Sequence, residues 1–104
     1  MRLTQDQLQG IATAFRSTFA SGAVLFLFGS RLDDGCRGGD IDLCIETGAQ
    51  PWDLLVRARV AFRVQLERVL GERRIDVVLR RRGDELRAID QEVLTKGVEL
   101  CRIP

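Results

Sequence analysis

The apolar positions of this chain follow a helical spacing in three segments. Residues 4–7, Thr-Gln-Asp-Gln, have the pattern of a capping box, and the spacing that follows predicts a first amphipathic helix ending near residues 21–22. A second helix of about five turns is predicted over residues 52–70, and a third after Asp84, which is placed as its N-cap. The apolar positions are Leu8, Ile11, Ala12, Phe15 and Phe19 in the first helix, Leu54, Leu55, Ala58, Phe62, Leu66, Val69 and Leu70 in the second, and Leu86, Ile89, Val93 and Leu94 in the third.

Four other segments have the patterns of strands. Residues 23–28 are an uninterrupted apolar run, which is typical of a strand buried on both faces, and residues 40–45 alternate with a period of two. Residues 98–103 predict a short terminal strand. The order α-β-β-α-β-α-β predicts an α+β fold, an α/β sandwich in which three helices pack against a mixed sheet of about four strands. The strand over residues 74–80 places Ile75, Val77 and Leu79 on one face and Asp76, Val78 and Arg80 on the other.

Length, charge and cysteine content narrow the class of protein. The 104 residues predict one domain spanning 1–104. The net charge of +1, from 16 basic and 15 acidic residues, favours neither a nucleic-acid nor a membrane partner, and no apolar run reaches the ~18 residues of a membrane span. The three cysteines have no metal-ligand spacing and there is no histidine, so we expect reduced thiols in a cytoplasmic protein. The cysteines are Cys36, Cys44 and Cys101.

The segment over residues 23–45 carries the strongest indication of chemistry. Its buried strand ends at Gly29, Ser30 and Arg31. A glycine and a serine at such a position let the backbone approach a ligand, with N–H groups and a hydroxyl free to bind phosphate oxygens. Arg31 adds a fixed positive charge. The strand end is therefore a candidate phosphate-binding site.

The following strand carries two carboxylates on one face. Asp40 and Asp42 stand two residues apart, so their side chains lie about 6–7 Å from each other and repel by about 0.7 kcal/mol in water. A fold that keeps such a pair together usually places a cation between them, and two Mg²⁺ ions about 3.5–4 Å apart would be bridged by these oxygens. The alternative is a hairpin with a solvated acidic face.

Asp76 is a carboxylate within an apolar strand, where its desolvation is costly unless it is paired or bound to a metal. A salt bridge to Arg74 is one explanation. With the two upstream carboxylates present, we favour a third metal ligand. Residues 80–82, three consecutive arginines, are either a solvated end of the strand or a contact for a triphosphate or an acidic partner. The arginines of the second helix are likewise either a solvated face or a surface for a partner with acidic patches.

Gly29-Ser30-Arg31 followed by Gly-Asp-Ile-Asp-Leu at residues 39–43 resembles the signature of the DNA polymerase beta nucleotidyltransferase superfamily. The short chain is similar to the minimal nucleotidyltransferase family of that superfamily, and the closing Gly-Val-Glu-Leu at residues 97–100 resembles the end of its members. The resemblance implies the nucleotidyltransferase fold. It implies two Mg²⁺ ions on the catalytic and metal-binding residues Asp40, Asp42 and Asp76, and phosphates of the substrate ATP on Gly29, Ser30 and Arg31.

The same resemblance implies a reaction and a partner. A hydroxyl would attack the α-phosphorus of a nucleoside triphosphate and release pyrophosphate. Minimal members of the family are commonly encoded beside a helical HEPN-type protein and act as antitoxins that modify a tyrosine of that toxin. We therefore expect transfer of AMP from ATP to a HEPN-type partner. Since this chain contains no tyrosine, modification of its own tyrosine is excluded.

Two alternatives remain at the level of sequence. The chain is either the enzyme described above or a non-catalytic antitoxin that neutralises its partner by covering it. Transfer to a small molecule or to an RNA end is a third possibility, which would need surface that a chain of this length must obtain from an oligomer or a partner. Both homo-oligomers and hetero-oligomers are compatible with the sequence.

Overall fold

The computed structural model describes residues 3–28, 41–71, 73–88, 91 and 97–104. Its four strands form one sheet in the order β3-β2-β1-β4, in which β2 and β3 are parallel and the other pairs are antiparallel. The predicted α+β class and the mixed four-stranded sheet are confirmed. The elements in chain order are α1 (Gln5–Thr18), β1 (Val24–Phe28), β2 (Ile41–Thr47), α2 (Trp52–Leu70), β3 (Ile75–Arg81) and β4 (Val98–Arg102).

The first helix begins where its sequence predicts. The N–H of Gln7 donates to Thr4 Oγ1 at 3.1 Å, and the N–H of Thr4 donates to Gln7 Oε1 at 2.8 Å, so the capping box is formed. The helix ends at Thr18, earlier than the predicted residues 21–22. Phe19 leaves the helix with extended backbone angles, and its ring packs 6.0 Å from that of Phe62. We attribute the earlier end of α1 to the burial of this ring against the core.

The predicted third helix is not one of the two helices in the described part of the chain. Only Ala88 and Gln91 are described there as helical, and residues 89–90 and 92–96 lie outside the described residues. The prediction of Asp84 as its N-cap is wrong, because residues 82–84 form a turn in which Gly83 has a φ of 91°. The carboxylate of Asp84 accepts from the guanidinium of Arg81 at 3.0 Å, which occupies the oxygens that a cap would use.

Both helices pack on one face of the sheet and form the main core with it. Phe15 and Phe62 lie at its centre with ring centroids 6.3 Å apart and no exposed surface. On α2, the buried side holds Leu55, Phe62, Leu66 and Leu70, as predicted. Leu54 was predicted for the same side but is 50% exposed, because each helical residue is rotated by about 100° from the one before it. The sheet contributes Leu25, Leu27, Ile41, Leu43, Ile45, Ile75, Val77, Leu79 and Cys101 to this core.

The connection from β2 through α2 to β3 determines which strand ends lie together. Since β2 and β3 are parallel, α2 must run back along the sheet, and the first residues of both strands lie at the same end. The predicted alternation of β3 is confirmed, with Ile75, Val77 and Leu79 buried against the helices. The face of the pair opposite α1 and α2 therefore carries Asp42, Cys44 and Glu46 from β2 and Asp76, Val78 and Arg80 from β3.

Two further expectations concern membranes and thiols. Across the described residues, neither helix combines the length and the apolar character needed to cross a lipid bilayer. Among the described residues, Cys44 and Cys101 are buried and take part in no disulfide, and Cys36 lies outside the described residues.

Candidate active site

Asp42 and Asp76 are aligned with each other across the parallel strands β2 and β3. Their neighbours Leu43 and Val77 point into the core, so the two aspartates both project from the face opposite α1 and α2. Neighbouring strands lie about 4.8 Å apart, which makes the carboxylates adjacent. The structure thus brings together two of the three carboxylates that the sequence nominates, although they are 34 positions apart in the chain.

The surroundings of the two aspartates differ. Asp42 is half-buried, and Asp76 is exposed. Within the described residues, Asp76 forms no hydrogen bond or ion pair, so the alternative of a salt bridge to Arg74 is not realised although both residues are described. The carboxylate of Asp76 therefore has its oxygens available to a ligand that approaches the sheet from this face.

The other site residues predicted from sequence are Gly29, Ser30, Arg31 and Asp40, and they lie outside the described residues. The nearest described landmark is Phe28, the last residue of β1. Phe28 is the register partner of Asp42, so the end of β1 and the carboxylate pair share one end of the sheet. The predictions for residues 29–31 and for Asp40 remain predictions.

A second pair of charged residues on the same face has opposite charges and forms an ion pair. Glu46 and Arg80 are also register partners on β2 and β3, and Arg80 Nη1 donates to Glu46 Oε2. Opposite charges on neighbouring strands are stabilising, and like charges are not. Two carboxylates about 5 Å apart repel by about 0.8 kcal/mol in water and about 3 kcal/mol at an effective dielectric of 20. The Glu46–Arg80 pair is therefore stabilising, whereas the two adjacent aspartates repel each other.

The arginines of residues 80–82 are occupied by contacts within the chain. Arg82 Nε donates to Glu46 Oε1 at 2.9 Å, and its Nη2 donates to the carbonyl oxygen of Gly22. Arg81 donates to the Gln50 carbonyl oxygen at 3.2 Å and lies over the Trp52 ring, 4.6 Å from its centroid. These partners are roughly 30 or more positions away in sequence, so no local pattern could have found them. The contacts of these arginines therefore stabilise the ends of β2 and β3 that lie opposite the aspartates.

The donor set suits a hard divalent cation. Asp42 and Asp76 offer carboxylate oxygens, which are the ligands that Mg²⁺ prefers in proteins. Within the described ranges no three acidic or cysteine side chains form a metal-binding group, and the third predicted ligand, Asp40, is not in those ranges. Two aligned carboxylates on an accessible face fit Mg²⁺.

Comparison with known proteins gives the class of fold. No known family and no curated protein matches the sequence. Chains of solved structures do, among them those of the following two structures. One is a toxin-antitoxin with AMP-PNP, with 24% identity over 91% of this chain and 73% of that chain and a TM-score of 0.65. The other is a mutant of the toxin-antitoxin MntA-HpeT, with 23% identity over 91% of this chain and 72% of that chain and a TM-score of 0.65. This chain therefore shares its fold with chains of toxin-antitoxin structures.

Proposed function

We propose that this chain is a metal-dependent nucleotidyltransferase that transfers AMP from ATP to a hydroxyl group of a protein partner. The partner we propose is a helical, HEPN-type protein encoded beside it, for which this chain acts as the antitoxin. The observation that carries the proposal is the alignment of Asp42 with Asp76 on one accessible face. The shared fold supports it, since one of the similar structures is a toxin-antitoxin with AMP-PNP. Cys44 and Cys101 take part in no disulfide among the described residues, which supports the cytoplasmic location that we propose.

The carboxylates have a defined task in this proposal. Asp42 and Asp76, together with Asp40, would hold two Mg²⁺ ions. When bound, Mg²⁺ neutralises phosphate charge and makes an attacking hydroxyl more acidic. Fixed carboxylates at one end of a sheet orient the reacting groups before reaction, and this positioning supplies a large part of the rate in phosphoryl transfer.

The chemical step transfers the nucleotidyl group in line. The acceptor oxygen forms a bond to the α-phosphorus as the bond from that phosphorus to the oxygen bridging the β-phosphorus breaks, and pyrophosphate leaves. The proton of the acceptor hydroxyl passes to the carboxylate of Asp76, which is the more exposed of the two described aspartates. Gly29, Ser30 and Arg31 are proposed to hold the phosphates in this step.

The test is incubation of the chain with α-labelled ATP, Mg²⁺ and the neighbouring helical protein. We expect label on that protein, and we expect Asp42→Asn and Asp76→Asn to lower the rate by about 10²–10³. Glu85→Gln is the matched control, because Glu85 is an exposed carboxylate on another part of the surface. If the unchanged chain neutralised the partner without transferring label, the chain would be a binding module and the proposal would be wrong.

A further inference from the structure

The exposed side of α2 carries an apolar stripe that the core does not use. Val56, Val60 and Val64 recur every four residues and so share one side of the helix. They are 41%, 57% and 48% exposed, whereas Leu55 and Leu66 on the core side of the same helix are 1% and 0% exposed. We name Val56, Val60 and Val64 the valine surface. The helix thus has two apolar sides, and only one of them is covered.

The folding of α2 does not require these valines. A helix that packs on one side usually has polar residues on the other, and β-branched valine is a poorer helix former than alanine, glutamate or lysine. Three valines at successive turns therefore lower the stability of an exposed helix and add apolar surface of the kind that marks contact sites. This composition is expected when the surface becomes buried against another molecule.

Arginines border the valine surface on both sides. At about 100° per residue, Arg57 and Arg63 lie about 60° to either side of Val60. Among residues 3–28, 41–71, 73–88, 91 and 97–104, the guanidinium groups of α2 make no hydrogen bond or ion pair, so they are available to a partner. The helix carries Arg57, Arg59, Arg63 and Arg68 against Asp53 and Glu67. Its exposed side is therefore positively charged, although the whole chain has a net charge of only +1.

An aromatic residue extends this surface at the start of the helix. Trp52 stands four residues before Val56 and is 41% exposed. Its ring lies under the guanidinium of Arg81, which is held in turn by Asp84 and by the carbonyl oxygen of Gln50. Tryptophan and arginine are the residues most enriched at binding hot spots, and a pair fixed in advance loses little side-chain entropy on binding.

We infer that the valine surface is the docking site for an amphipathic helix of a second protein, one whose apolar stripe is bordered by carboxylates. The inference rests on the proposed function for the identity of that protein. The positive charge beside the valine surface favours an acidic partner over a second copy of this chain. Acidic borders would meet Arg57 and Arg63, whereas a second copy of this chain would bring two positively charged faces together. Helix-on-helix contact with apolar anchors at every turn is a common mode of recognition.

Docking and chemistry occupy different sides of the molecule. The helix layer that contains α2 covers one face of the sheet, and Asp42 and Asp76 project from the other. The valine surface occupies the first two-thirds of α2, which begins at the end of the sheet opposite the aspartates. A partner docked there therefore leaves the aspartates open. Mutations of the two regions should consequently separate binding from transfer.

The experiment measures the dissociation constant between this chain and the neighbouring helical protein by calorimetry. Val56→Lys/Val60→Lys should weaken binding about 100-fold, and Arg57→Glu/Arg63→Glu about tenfold or more at low salt, with the second effect shrinking as salt rises. Lysine is a good helix former, so the first variant should melt no earlier than the unchanged chain. Leu86→Lys and Arg16→Glu are matched controls, an exposed leucine and an exposed arginine outside α2, and should bind as the unchanged chain does.

The outcomes distinguish this inference from the proposed function. Asp76→Asn should bind with an unchanged constant and transfer label about 10²–10³ times more slowly. If the valine variants bound as tightly as the unchanged chain, the docking site would be wrong while transfer could still occur. If they lost binding and the unchanged chain transferred no label, the docking site would stand and the enzymatic function would fail. A stable dimer of this chain alone that Val60→Lys disrupts, or no complex at all with the neighbouring protein, would overturn the inference.

Discussion

Glu46 and Arg80 face each other across β2 and β3, and the carboxylate of Glu46 accepts hydrogen bonds from both Arg80 and Arg82. The side chains of Glu46 and Arg80 are 19% and 16% exposed, so removal of the carboxylate leaves a guanidinium that is poorly hydrated. We expect Glu46→Gln to lower the free energy of unfolding by about 1–3 kcal/mol. Chemical denaturation checks this value. In Glu46→Gln/Arg80→Gln the loss should be smaller than the sum of the single losses, and simple additivity would show that the pair is not coupled.

Gly10 on α1 lies against Val69 on α2. A Cβ added at Gly10 would stand 2.5 Å from Cγ1 of Val69 and 3.0 Å from its Cγ2. Alanine gains about 1 kcal/mol in helix propensity over glycine, but overpacking costs about 1–3 kcal/mol. We therefore expect Gly10→Ala to destabilise the chain by about 1 kcal/mol in thermal or chemical unfolding.

The same replacement in the Val69→Ala background is the control for this contact. With the valine methyl groups removed, Gly10→Ala should instead stabilise the chain by about 1 kcal/mol, because the gain in helix propensity remains. A destabilising Gly10→Ala in both backgrounds would show that the two helices do not meet at these residues.

The pH dependence of β4 has a defined sign. The hydrogen bond and salt bridge from Arg102 hold the pKa of Glu99 below its usual value, and they raise the pKa of Arg102. A depressed carboxyl pKa contributes stability above the unfolded pKa of about 4.3, and the contribution is lost as the pH falls through the folded value. NMR titration should show that the pKa of Glu99 rises in Arg102→Gln. An unchanged pKa would contradict the ion pair.

Local patterns predicted those parts of the fold that depend on neighbouring residues. The capping box at Thr4 and Gln7 and the alternation in β3 are properties of a few consecutive positions, and both were confirmed. Asp84 was misjudged, because an aspartate before an apolar segment serves equally as an N-cap or as a partner for an arginine, here Arg81. Sequence does not decide between these uses, because the outcome depends on where Arg81 lies.

The site was only partly predictable for a similar reason. The period of two showed which face Asp42 and Asp76 occupy on their own strands, but their alignment depends on the parallel pairing that the α2 connection produces. Helical spacing on α2 separated the core side from the valine surface, but it also assigned Leu54 and Val69 to the core side, although they are 50% and 36% exposed. Only the packing of α1 and the sheet shows where the covered side ends.

Asp42 and Asp76 are proposed to form one site for a divalent cation. Without divalent ions, Asp76→Asn should remove repulsion of about 0.8 kcal/mol and leave the melting temperature unchanged or raise it by about 4 °C. The unchanged chain should gain stability as Mg²⁺ is added, because the ion binds the folded state, whereas Asp76→Asn should gain little. Glu85→Gln controls for the loss of a negative charge elsewhere.

The most direct measurement is the melting temperature of the unchanged chain, Asp76→Asn and Glu85→Gln across a Mg²⁺ titration. We expect the unchanged chain and Glu85→Gln to respond equally to Mg²⁺ and the response of Asp76→Asn to be largely lost. An equal response from all three proteins, or none from the unchanged chain, would contradict the proposed cation site.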